Sequence, residues 1–285
     1  MSLNLNYDAE KKVDFEVYKG KNVGRMPDLV KDGRVPMSSR AVMKRRLEVL
    51  NHKTETPQKA KANEEIKDSW FNMYVDTGDG VFYHPDGPVK MVLDAPIMRE
   101  LTPESHLIDG ALRLGANKDE SVARYEALDG QEFKRDDLDT LSTLLTPTQA
   151  KKHPVWKVLA GGDQDLLNEY VDAIFKVYGI SQGMAVCVDN PEEVAHGRLW
   201  CLGSSNNRSN AGGINDLDDG GGRLVGVCAG GALEDLPRSG DASENKVIVP
   251  SLEQVLGVLK SNDSCLSKNA REQLEKDYRT LYRRE

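Results

Sequence analysis

The sequence predicts a mixed α/β or α+β protein, and three observations carry that. Leu166, Leu167, Tyr170, Val171, Ile174, Phe175 and Tyr178 recur at helical spacing up to Gly179. Apolar runs at 184–188, 197–202 and 223–228 read as buried strands. Pro85-Asp86-Gly87 separates two β-rich runs, 81–83 and 89–93. That is a hairpin with a mechanism, because Pro presets φ and Gly accepts a positive one. The expected architecture is a C-terminal mixed sheet of three to four strands with flanking helices. A β-hairpin/helical region and an extended N-terminal arm precede it.

Taken in order, residues 1–36 read as the arm. Val13, Phe15 and Val17 alternate with polar residues, as in a short half-buried strand, while Gly20, Gly24, Pro27, Gly33 and Pro36 interrupt the rest. Leu3, Leu5, Tyr7 and Phe15 are too apolar for a solvated tail, so the arm should lie across another surface. Ser38 or Ser39 can cap a helix to about Asn51, with Val42, Met43, Leu47 and Leu50 as its apolar face. A second helix covers about 59–74. Thr146-Pro147 with Gln149 has capping-box spacing, and His153-Pro154 should break the short helix that follows. Gly161-Gly162 marks an internal boundary. Beyond the three strands, Lys246–Val249 is a possible fourth, Ser251 opens a helix through Leu259, and a last helix runs from about Ser267 to Tyr282. The expected division is 1–58 (basic arm and helix), 59–162 (helix, hairpin and short helices) and 163–285 (α/β domain).

Charge excludes some functions and suggests others. The chain has 38 Lys/Arg against 46 Asp/Glu, net −8. Residues 1–62 are net +6 and the remainder net −14. A basic arm on an acidic body can dock on that body, on a neighbouring copy, or on phosphates. Arg40, Lys44, Arg45 and Arg46 crowd one side of the 39–51 helix and are the candidate nucleic-acid contacts. No apolar run approaches the roughly 20 residues of a membrane helix, and the N-terminus has no apolar signal core. Four cysteines without a Cys-x-x-Cys pair indicate neither a disulfide scaffold nor a zinc ribbon. Reduced thiols and a cytoplasmic location are expected.

The segment Gly203–Gly222 concentrates the candidate chemistry. Six Gly, four Asn, three Asp and three Ser make 16 of its 20 residues, and it joins two predicted strands. Connections longer than about 12–15 residues are usually functional or disordered. Asp216, Asp218 and Asp219 offer hard oxygen ligands, and Arg208 and Arg223 could clamp an anion. The calcium-loop, P-loop and dinucleotide templates all fail on spacing, so no cofactor is expected. Gly226-Val-Cys228-Ala-Gly230 resembles the nucleophile elbow of hydrolases, cysteine amidotransferases in particular. That resemblance implies Cys228 as nucleophile. In those enzymes the base histidine follows the cysteine, whereas all five histidines here precede it.

The reading that follows is a non-enzymatic binding or assembly protein, contacting its partner or a second copy through the arm and the 203–222 loop. A cysteine-nucleophile hydrolase or amidotransferase-like enzyme on Cys228 is the alternative. A nucleic-acid-associated protein acting through the basic N-terminal region is the second.

Overall fold

The computed structural model describes residue 5 and residues 15–52, 57–138, 143–203 and 209–228. All of them belong to one compact unit, Met1–Pro237. The strand expected at 246–249 and the two helices expected after it lie outside the described residues.

Within the expected arm, the described residues from 16 on are not an extended arm: they form strand β1 (Glu16–Lys19), helix α1 (Asn22–Lys31) and strand β2 (Arg34–Pro36). Pro27 sits inside α1 and removes one helical donor. Burial overrides it: Val23, Met26 and Leu29, spaced by three, all enter the core. Glycine and proline therefore punctuated this segment less than its apolar spacing organised it. Helix α2 (Ser39–Asn51) starts where the Ser38 hydroxyl accepts the Ala41 amide at 3.2 Å. Helix α3 (Pro57–Asn72) leads into strand β3 (Val75–Tyr83).

Strand β4 (Val89–Val92) returns antiparallel, pairing Tyr83 with Val89 and Gly80 with Val92. Gly87 has φ +109° and its amide donates to the His84 carbonyl, so the hairpin turn is the expected one. Asp79-Gly80 lies mid-strand, at a register shift in β3. Then come helix α4 (Pro96–Arg99), strands β5 (Leu107–Ile108) and β6 (Ala111–Arg113), helix α5 (Lys118–Glu126), strand β7 (Gln131–Phe133) and helix α6 (Arg135–Leu138). Helix α7 (Pro147–Lys152) carries the Thr146/Gln149 capping box, and α8 (Pro154–Leu159) begins after the His153-Pro154 break. Helix α9 (Gln164–Tyr178) is capped by the Asp163 carboxylate and closed by Gly179 at φ +59°. Strands β8 (Val186–Val188), β9 (His196–Gly203), β10 (Asn210–Gly213) and β11 (Arg223–Cys228) follow.

The expected sheet of three to four C-terminal strands is too small. The described residues form one mixed sheet of 11 strands, drawn from all three of the expected segments. Its main path runs β1-β11-β3-β9-β10-β8, with β10–β8 and β11–β3 parallel. The extra strands went unseen because most are two to four residues long, too short for a period to show. The long loop is also partly strand, since β10 lies inside it and pairs on both sides.

The β3–β9 pair is the spine, buried along its whole length. At one end β3 is flanked by β11 and β9 by β10. At the other end β3 is flanked by β4 and β9 by β6. Side chains alternate between two cores. Val81, Tyr83, Trp200, Leu202 and Val225 face the larger one, with Trp70, Trp156 and Tyr170. Phe82, Leu199 and Leu224 face the smaller one, with Met26 and Leu29 of α1. No helix among the described residues is long and apolar enough to cross a membrane.

Candidate functional site

Strand register places one row of residues across the α1 side of the sheet. Gly212 pairs with Cys187 on β8 and with Cys201 on β9. Cys201 pairs in turn with Asp76 on β3, and Asp76 with Leu224 on β11. Directly opposed residues share a face. The row Cys187, Gly212, Cys201, Asp76 therefore floors a cleft of about 340 Å³. A Cβ on Gly212 would meet nothing within 4 Å, so the floor is open there. Tyr74, Ile214, Asn215, Asp216 and Asp219 form walls and rim. Ile214, 36% exposed, is one of two large apolar side chains the described surface displays.

Asp76 is buried and held by three donors. The Arg223 amide reaches Oδ2 at 2.8 Å, Asn22 Nδ2 reaches Oδ2 at 3.1 Å and Asn215 Nδ2 reaches Oδ1 at 3.3 Å. Loss of solvation nevertheless pushes its carboxyl above the usual range. Burial raises both thiols too, Cys201 well above its ordinary value. These thiols are therefore protonated and weak as nucleophiles at neutral pH.

The wall formed by residues 214–219 is pinned by Arg198, which is 3% exposed. Its guanidinium donates to Asp189 at 2.5 Å, Asp216 at 2.7 Å, the Asp109 carbonyl at 2.6 Å and the Asn215 carbonyl at 3.2 Å. Behind the floor, Arg46 donates to the carbonyls of Trp70 (3.0 Å), Met73 (2.9 Å) and Leu202 (3.3 Å), to the Tyr170 hydroxyl (2.7 Å) and to Ser209 Oγ (3.5 Å). This buried cation thus ties the end of β9 to the start of β10.

The predicted residues are distributed unevenly over this geometry. Asp216 and Asp219 line the cleft, but Asp216 is engaged by Arg198 and Asp219 Oδ1 accepts the Gly221 amide at 3.0 Å. Asp218 is exposed and does not line it. Among the described residues no three His, Cys, Asp or Glu side chains are grouped as a metal site needs. Arg223 stacks on the Tyr74 ring, 4.9 Å from its centroid, and contributes its backbone amide to Asp76. Arg208 lies outside the described residues.

Of the four basic residues of α2, Arg45 and Arg46 are buried and Arg40 and Lys44 are half-buried. Arg46 is in the core, and Arg45 is buried against the Phe15 and Trp70 rings with its guanidinium on the Leu5 carbonyl. Arg40 pairs with Asp163 at 3.2 Å, and Lys44 is also engaged. Backbone carbonyls take up Arg46 and part of Arg45, and the carboxylates of Asp163 and Glu48 pair with Arg40 and Arg45. Cys228 ends β11 exposed, opposite Arg34, and the rest of the elbow motif, including Gly230, lies outside the described residues. His196 lies on the far side of β3 from it, stacked on Tyr83 at 5.0 Å with Nδ1 on the Val194 carbonyl.

The sequence reading missed Asp76, Asn215 and Tyr74. Asp76 carried one available signal, shared with Asp79: carboxylates inside the run Val75–Tyr83 are an expensive burial that demands partners.

No family model and no curated protein matches the chain. Among solved structures, the chain is similar to one that concerns how the C-type lectin fold accommodates massive sequence variation in Nanoarchaeota. The match has a TM-score of 0.55 at 15% identity and covers 77% of this chain and 99% of that one. At that identity the likeness is one of fold: the described sheet and helices are arranged as a C-type lectin-like α+β structure.

Proposed function

We propose that the protein is a non-enzymatic binding protein whose ligand site is the cleft floored by Cys187, Gly212, Cys201 and Asp76. One observation carries this. The cleft is open at Gly212, while every ionisable group that lines it is either bonded to the scaffold or held in an unreactive protonation state. A site with room and no activated nucleophile favours capture over chemistry. The fold neighbour supports the same reading, since a C-type lectin fold that accommodates massive sequence variation is a scaffold separable from its surface chemistry. In this reading residues 16–36 contribute strands and a helix to the scaffold, and the second half of the 203–222 segment supplies a cleft wall.

Ligand-observed NMR of the full chain against a fragment set tests this, repeated with Gly212→Leu, which fills the floor. Hits that vanish in the variant support a cleft site. An equal set of hits in both proteins overturns it.

A cysteine enzyme keeps one favouring observation, the exposure of Cys228. Rapid carbamidomethylation of Cys228 at neutral pH, together with an amidase activity lost in Cys228→Ser, would establish that reading instead.

A further inference from the structure

We propose that the cleft takes a compact, uncharged and mostly apolar group, seated on Gly212 between Cys187 and Cys201. This deepens the binding reading above and rests on it. The first support is the glycine itself. Gly212 lies inside β10, paired on both sides in continuous register. Its neighbour Gly213 is required by packing, because a Cβ there would stand 2.6 Å from the Tyr83 hydroxyl and 2.7 Å from Val81. No such contact explains Gly212, where a Cβ would meet nothing within 4 Å, and its φ lies outside the left-handed region that favours glycine. A glycine weakens a strand, and one that neither a bulge nor a neighbour demands marks a surface that a ligand can approach closely.

The polar side chains around this floor are already spent on the scaffold. The Tyr74 hydroxyl donates to the Gly221 carbonyl, Asn210 Oδ1 accepts the Ala185 amide and Asn215 Nδ2 donates to Asp76. Both oxygens of Asp76 are bonded. Asp216 and Asp219 are engaged as well, and they stand exposed at the rim, where water solvates them. A charged ligand would give up its hydration to reach the floor and meet no unpaired counter-charge in it.

An apolar occupant meets no such cost. Asp76 is 1% exposed, so folding has already removed its water and covering the floor strips nothing further from it. Burial keeps the two thiols protonated, and in that form they behave as small apolar groups on either side of Gly212. The exposed side chain of Ile214 completes the apolar border, and an occupant that covers it removes apolar surface from water. A volume of about 340 Å³ holds one small ring with a short substituent.

The probes are benzyl alcohol, benzylamine and benzoate: the same ring with no charge, a positive charge and a negative one. Each is added at about 10 mM to the full chain, to Gly212→Leu and to Ile214→Ser, and the melting temperature is read. The first variant fills the floor. The second removes the apolar border at an exposed position, so the fold survives it even if the first variant does not fold. If the inference holds, benzyl alcohol raises the melting temperature of the unmodified chain by about 2–4 °C through mass action. Added salt does not diminish the gain, because no ion pair carries it. The gain shrinks in Ile214→Ser and vanishes in Gly212→Leu. Benzylamine and benzoate give clearly smaller shifts.

If either charged probe stabilises the chain as much as benzyl alcohol does and loses its effect in Gly212→Leu, the preference for an uncharged group is wrong and the cleft site stands. If benzyl alcohol stabilises all three proteins equally, it binds elsewhere and the inference fails. No shift with any probe also overturns it, and the fragment screen then judges the cleft on its own.

Discussion

The two ends of the β3–β9 spine are built from the same kinds of residue to opposite effect. At the hairpin end, glycine makes room for a ring. A Cβ on Gly197 would lie 2.5 Å from Phe82, and one on Gly80 would lie 2.6 Å from it. At the cleft end, glycine leaves room unfilled, at Gly212. Both ends bury charge, but in different settings: at the hairpin end Lys90 donates to the Tyr125 carbonyl and Tyr83 stacks on His196, while at the cleft end Asp76 lies in the floor with Arg46 behind it. The register shift between Asp76 and Gly80 separates the two. A strand pair can thus be a packed core at one end and a polar opening at the other. What decides is which neighbours flank it: β4 and β6, or β11 and β10.

The largest expected effect breaks the cleft end. Arg46→Met removes the donor from three buried carbonyls, and each orphaned group costs about 1–3 kcal/mol. A loss of about 3–5 kcal/mol in chemical denaturation is expected. A loss under about 1 kcal/mol would show that the carbonyls find other partners.

Next comes Asp79, which lies at the shift itself. It accepts the amides of Ser39 at 2.7 Å and Asp94 at 2.8 Å, yet full burial lifts its carboxyl from 3.8 to about 6. The folded state therefore holds its proton more tightly than the unfolded state does. Stability falls as pH climbs from about 4 to 6, by roughly 3 kcal/mol from this group. Asp76, also raised, adds in the same direction. Denaturation midpoints measured across that window should decline less in Asp79→Asn. Parallel slopes in the two proteins would mean that other groups set the dependence.

Glycine substitutions sharpen the contrast directly. Gly197→Ala should cost about 1–3 kcal/mol, because the Phe82 ring must move within a packed layer. Gly212→Ala should be neutral or stabilising by about 0.5–1 kcal/mol, since nothing opposes the new methyl and the unfolded chain loses freedom. Equal costs at both positions would erase the distinction between the two ends. Smallest of all is Asp219→Asn, exposed at the rim, which should leave stability within about 0.5 kcal/mol of the unmodified chain.

What could be read in the sequence tracks how local its cause is. The helix 164–178, the Thr146 capping box and the Pro85-Asp86-Gly87 turn are settled within a few residues, and all three stand as expected. Helix α1 was hidden by Gly24 and Pro27, whose local cost is outweighed by burial of Met26 and Leu29 in a core assembled from distant segments. The cleft was hidden for a stronger reason. Its floor joins residues 76, 187, 201 and 212, and only the strand order makes them neighbours. Asp216 and Asp219 were found by composition, but their partners were not. Neither Arg198 nor the Gly221 amide is marked in the chain as the group that would occupy them.

The floor also bears on oxidation. Cys187 and Cys201 lie level with each other but on β8 and β9, with β10 between them. Two strand spacings separate their Cα atoms by about 10 Å, beyond the roughly 4–7 Å that a disulfide spans. Cys187, the less buried of the two, is the one an oxidant reaches first, and a sulfenic acid or mixed disulfide formed there cannot go on to bridge Cys201 without pulling β10 out of the sheet. Oxidising conditions would therefore add bulk to the floor at Cys187 and leave the strand order unlocked.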